Sequence, residues 1–137
     1  MPLSITSRPD RNFQVITLTG NLTLGPHLKI VQQTARTALE TASPDALILD
    51  VAGIKYTDSA GLGELTVVYS LCTRKNCALI LVGVPNQLRQ MLDLTRLDVL
   101  LPSAADIEAA KRIVRARSSH RRRESSDDDS SSGSSNG

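Results

Sequence analysis

Two short runs of nearly continuous apolar residues, Ala46-Leu47-Ile48-Leu49-Asp50-Val51 and Ala78-Leu79-Ile80-Leu81-Val82, constrain this chain more than any other feature. A run that is apolar at successive positions leaves no face for water, so each reads as a strand covered on both sides. Between them Leu62, Leu65, Tyr69 and Cys72 recur at helical spacing, and Lys75-Asn76 closes that helix. Upstream, Leu28, Val31, Ala35, Ala38, Leu39 and Ala42 predict an amphipathic helix from Pro26 to Ala42, stopped by Ser43-Pro44-Asp45. Pro85 opens a third helix, with Leu88, Met91 and Leu92 on its apolar face.

The N-terminal part reads differently. Leu3 and Ile5 alternate with polar neighbours, Pro9-Asp10-Arg11-Asn12 supplies turn chemistry, and Phe13 to Thr19 is rich in β-branched residues. That pattern predicts an antiparallel pair, broken at Gly20-Asn21. Asp98 to Leu101 is expected as a short extended piece. Ser103-x-x-Asp106 resembles a capping box for a last helix from about Ala104 to Val114. The order β-β-α-β-α-β-α-(β)-α predicts one α/β domain with a mostly parallel sheet of four to five strands, an antiparallel N-terminal pair and about four helices.

Composition sets the limits. Hydrophobic residues make up 40% of the 137, but aromatics only 2%, so aliphatic side chains must fill the core and no ring surface is offered to bases or sugars. Cys72 and Cys77 lack zinc-ligand spacing and read as two ordinary thiols. No secretory leader and no membrane span is read from the sequence, which predicts a cytoplasmic protein. Seven basic and four acidic residues lie from Lys111 onward, so the net charge of +2 belongs to the tail. Residues 118–137 contain no hydrophobic side chain and are expected to be a disordered Ser/Arg/Asp-rich tail following a domain over 1–117.

The informative segment is Leu47 to Leu65, LILDVAGIKYTDSAGLGEL: a buried strand, a loop, and a serine at the mouth of a helix. Either Asp58 or Ser59 is suited to cap that helix. Gly61 and Gly63 stand in its first turn, where each costs about 1 kcal/mol against Ala. Bare backbone there lets another surface, or a phosphate, come close. On the residues alone, a well-capped strand-to-helix turn accounts for the segment equally well.

The pattern Asp58-Ser59-Ala60-Gly61-Leu62-Gly63 after Leu47-Ile48-Leu49-Asp50 resembles the signature of the STAS-domain anti-sigma factor antagonists. The likeness spans about residues 3 to 115 and includes Gly20-Asn21-Leu22 and the Ser103 start of the last helix. It implies that Ser59 is a phosphoacceptor, with Ala60 where a second hydroxyl is common. It implies a partner surface of Thr57, Asp58, Ser59, Ala60, Gly61, Leu62 and Gly63. The resemblance further implies a non-enzymatic module without cofactor or metal. Such a module binds an anti-sigma factor/serine kinase when unphosphorylated, is released by phosphorylation, and is reset by a metal-dependent serine phosphatase. A monomer or weak dimer is expected, with no nucleic acid or membrane partner. One departure stands out: Thr23 occupies the place of an acidic residue that members of the family often carry.

Rival readings have less support. A serine hydrolase elbow needs G-x-S-x-G, and Thr57 stands where the first glycine belongs. The arginines of the tail are followed at once by Glu124 and Asp127-Asp128-Asp129, a self-neutralising pattern rather than a nucleic-acid contact. The alternative within the same fold is a stand-alone partner subunit of a lipid-transport ATPase, or a stress-signalling scaffold.

Overall fold

The computed structural model describes residues 1–117; the expected tail, 118–137, lies outside them. Strands β1 (Ser4–Asp10) and β2 (Phe13–Leu22) form an antiparallel hairpin turning through Arg11-Asn12. Helix α1 (Ile30–Ala42), strand β3 (Ala46–Thr57), helix α2 (Ser59–Arg74), strand β4 (Ala78–Val82) and helix α3 (Asn86–Thr95) follow. A 3-10 turn (Leu97–Val99), strand β5 (Ser103–Ala104) and a helix over residues 107–117, α4, complete the described chain. The five strands lie in sequence order. The antiparallel pairing of β1 with β2 and the parallel pairing elsewhere are as the element order predicts.

The two apolar runs are buried on both faces, and their alternation assigns the faces. Leu47, Leu49 and Val51 of β3, with Leu79 and Leu81 of β4, point into the larger core beneath α1, α2 and α3. Ala46 and Ile48 of β3, with Ile80 and Val82 of β4, point the other way, against Ala110 and Val114 of α4. Phe13, the one phenylalanine of the chain, lies in this second core. Lys111 and Arg115 stand about 6.0 Å over its ring. The Lys111 Nζ reaches Asp10 at 2.7 Å and so ties α4 to the β1–β2 hairpin.

Several boundaries differ from the sequence reading. Gly20-Asn21 does not end β2: register shifts beside β3 let both strands run on, to Leu22 and Thr57. Gly20 makes this possible at φ 96°, where a Cβ would lie 2.2 Å from the Pro2 carbonyl oxygen. The expected loop after Ala52 is therefore strand as far as Thr57. Helix α1 begins at Ile30 rather than Pro26, because Pro26 to Lys29 form tight turns ahead of it. Asp98 falls in the 3-10 turn, and the extended pairing comes later, at Ser103–Ala104. Ser103 is no helix cap. Its hydroxyl accepts from Arg89 at 2.5 Å, and Asp106 caps α4 by accepting from the Ala109 N–H at 2.8 Å.

The two cysteines form the end of α2. Cys77 N–H donates to the Cys72 carbonyl at 2.9 Å, and Asn76 N–H to that of Thr73 at 3.2 Å, with Asn76 at φ 54°. This is a Schellman ending, in which the third residue from the helix end and the second residue beyond the cap make the accompanying hydrophobic contact. Both thiols are free and buried.

Candidate functional site

The parallel strands deliver their C-terminal ends to one edge of the sheet, and β3 ends there at Thr57. Gln87, in the first turn of α3, clamps that end. Its Oε1 accepts from the Thr57 N–H at 2.9 Å, and its Nε2 donates to the Thr57 carbonyl at 2.8 Å. The side-chain amide thus takes the place of a neighbouring strand. The Thr57 hydroxyl is fully buried with no hydrogen-bond partner among the described residues.

Asp58 is the cap of α2, which leaves Ser59 as its first helical residue. With an extended backbone (φ −105°, ψ −176°), Asp58 turns its Oδ1 to accept from the Gly61 N–H at 2.8 Å. Its Oδ2 accepts from the Leu24 N–H at 3.1 Å, and its own N–H donates to the Leu22 carbonyl at 3.3 Å. One carboxylate therefore joins the helix mouth to the segment after β2. Those N–H donors, Gly61 first, hold the Asp58 carboxyl below the usual aspartate range.

The predicted surface residues separate by burial. Ser59 and Gly63 are exposed, Asp58 and Ala60 are half-buried, and Thr57, Gly61 and Leu62 are buried. The two glycines do different things. A Cβ on Gly61 would lie 1.8 Å from the Leu22 carbonyl oxygen, so this glycine admits the chain's own β2 end. A Cβ on Gly63 would meet nothing within 4 Å, so here the bare backbone faces open space.

Three contributors to this region were not singled out from the sequence. Gln87 is a polar residue in the first turn of α3, and no local pattern ties it to Thr57 thirty residues earlier. Leu24 is exposed to 78%, and its role lies in a backbone N–H that no side-chain pattern reports. Glu64 is buried to 6% exposure, where it accepts from the Gln32 N–H at 3.0 Å and the Gln32 Nε2 at 3.2 Å. A signal for Glu64 existed: a carboxylate between Leu62 and Leu65 on an apolar helix face needs a donor. Thr23, in place of the family's acid, is half-buried at the end of β2.

Among the described residues no three His, Cys, Asp or Glu side chains converge as metal ligands, and no helix is long and apolar enough to cross a membrane. His27 is exposed on the segment before α1.

Solved structures share this fold. An anti-sigma factor antagonist from Mycobacterium paratuberculosis superposes with a TM-score of 0.68 at 21% identity, over 83% of this chain and 95% of that one. The unphosphorylated anti-sigma factor antagonist SpoIIAA gives 0.60 at 18%, over 85% and 98%. The murine anion transporter Slc26a9 gives 0.65 at 17%, over 80% of this chain but 18% of the transporter. These identities establish the architecture. A family model described as "Mlab, STAS domain" matches residues 5–102, and with it the chain belongs to the STAS-domain family.

Proposed function

We propose that this protein is an anti-sigma factor antagonist, a binding module that holds an anti-sigma factor/serine kinase until Ser59 is phosphorylated. The observation that carries the reading is the placement of Ser59: exposed, at the first residue of α2, directly after a cap supplied by Asp58. A phosphoserine adds about −1.5 to −2 charges. The free domain tolerates that charge at a helix N-terminus, where the dipole and backbone N–H groups favour an anion. Inside a packed contact the same charge must shed water, which is costly without a cationic partner. The fold persists and the complex separates. A metal-dependent phosphatase resets the cycle, and the module itself needs no cofactor. A cytoplasmic location, a monomeric or weakly dimeric state and a tail that stays out of the core complete the proposal.

Thr23 favours a second reading. If the missing acid is what a kinase engages, the partner is instead the ATPase of a lipid transporter or a stress-signalling assembly. Incubation with the anti-sigma factor kinase and ATP, followed by intact mass and peptide mapping, separates the two. One phosphate on Ser59, absent in Ser59→Ala, is expected, and Ser59→Asp should bind the kinase tenfold or more weakly than Ser59→Ala. Phosphate on Thr57 or Thr66 instead, or no phosphate at all, overturns the assignment.

A further inference from the structure

The last turn of α2 brings together the chain's two cysteines, which the sequence spaces too widely for a CxxC pair. Cys72 is the third residue from the helix end and Cys77 the second beyond the Lys75 cap, the two positions that a Schellman ending sets side by side. The Cys77 N–H donates to the Cys72 carbonyl at 2.9 Å, and Asn76 at φ 54° turns the chain back between them. Both side chains enter the larger core, where the Cys72 thiol donates a hydrogen bond to the Cys77 sulfur. A backbone bond of this kind holds the two Cα atoms within the span a disulfide needs, about 4.4–6.8 Å. Aliphatic side chains would complete the helix ending as well. Two thiols add a reaction that aliphatic residues lack.

The two sulfurs differ. The Cys72 thiol and, less strongly, the Leu47 N–H hold the Cys77 thiol below the ordinary cysteine value, against burial and the Asp45 carboxylate. The same contact, together with burial, pushes the Cys72 thiol up. Above them Thr73, Arg74, Lys75 and Asn76 are all exposed. Helix ends fray first, so a small neutral oxidant has a short path to Cys77. We propose that Cys72 and Cys77 form a peroxide-reactive dithiol, in which hydrogen peroxide oxidises Cys77 and Cys72 then closes a disulfide. The Cys77 thiolate attacks one oxygen of the peroxide and the O–O bond breaks; with one proton taken up, the products are Cys77 sulfenic acid and water. The Cys72 sulfur then attacks the sulfenic sulfur, the S–O bond breaks, and the departing hydroxide takes the Cys72 proton as a second water. Two electrons pass from the dithiol to the peroxide. The disulfide latches the end of α2 to the entry of β4.

The test treats the reduced full chain, folded at neutral pH, with an equimolar amount of hydrogen peroxide and reads intact mass and non-reducing peptide maps. The mass should fall by two hydrogens, with a peptide linking Cys72 to Cys77 that dithiothreitol releases. In Cys72→Ala the reaction should stop at Cys77 sulfenic acid, trapped by dimedone. In Cys77→Ala the remaining Cys72 should stay reduced. Thermal melts establish that each variant is folded, and the wild-type mass decides the matter if one is not. Wild-type thiols that both stay reduced in the folded chain overturn the inference. So do disulfides formed between chains instead of within one, or dimedone on Cys72 in place of Cys77.

Discussion

Asp58 and Ser59 are adjacent and chemically similar as caps, yet the structure gives them separate tasks. Asp58 accepts from Gly61 and Leu24, while Ser59 points into solvent. Asp58→Ala should therefore cost about 0.5–2 kcal/mol of stability, the usual range for a lost cap. Ser59→Ala should stay within about 0.5 kcal/mol, as for an exposed position without a partner. Chemical denaturation of both variants checks this, and a larger loss in Ser59→Ala than in Asp58→Ala would place the cap on Ser59 instead. The glycines divide in the same way. Gly61→Ala forces a methyl group onto the Leu22 carbonyl and should destabilise the fold severely. Gly63→Ala places the methyl group in open space and should stabilise α2 by about 0.5–1 kcal/mol. Melting curves that rank the two variants the other way would show that Gly61 is not the close-approach site.

Among the elements, α4 covers the second face of the sheet with only Ala110, Val114 and partly buried Ile107 and Ile113. Its added hold is the contact of Lys111 with Asp10, supported by Glu108 at 3.4 Å. The Lys111 ammonium holds the Asp10 carboxyl below its ordinary value, and Asp10 in turn raises the lysine. A lowered carboxylate contributes stability above its unfolded pKa of about 3.9 and loses it as pH falls through the folded value. A raised lysine contributes fully below its unfolded pKa of about 10.4 and loses that as pH climbs past the folded value. Asp58 adds to the acid side, being lowered by the Gly61 N–H. The melting temperature should thus be level between about pH 5 and 9 and drop below about pH 4. Asp10→Asn should flatten the acid limb, and an unchanged limb would mean that this pair does not hold α4.

At the scale of the whole molecule, the sheet sorts structure from display. Three helices and the larger core sit on one face, and the C-terminal ends of β2 and β3 run on past the sheet's centre to Leu22 and Thr57. That extension is what brings the segment after β2 beside the mouth of α2, joined through Asp58. Two stretches far apart in sequence, the segment around Leu24 and residues 58–63, thereby meet at one end of the sheet.

The amino-acid pattern by itself determined the order of elements, the mostly parallel sheet and the position of the serine-bearing helix mouth. Each of these follows from local periodicity: continuous runs for buried strands, steps of three and four for helices, and small polar residues at breaks. Local pattern also carried the β1–β2 hairpin, whose turn chemistry at Pro9 to Asn12 is contiguous. Only the tertiary structure decided that Asp58 and not Ser59 is the cap, that Gly61 serves the chain's own packing, and that Gln87, Leu24 and Glu64 belong to the region. The reason is physical: apart from the local Asp58–Gly61 bond, these roles rest on groups meeting partners some thirty to forty residues away in the chain. The sequence names which groups can donate and accept, but packing chooses which of them meet.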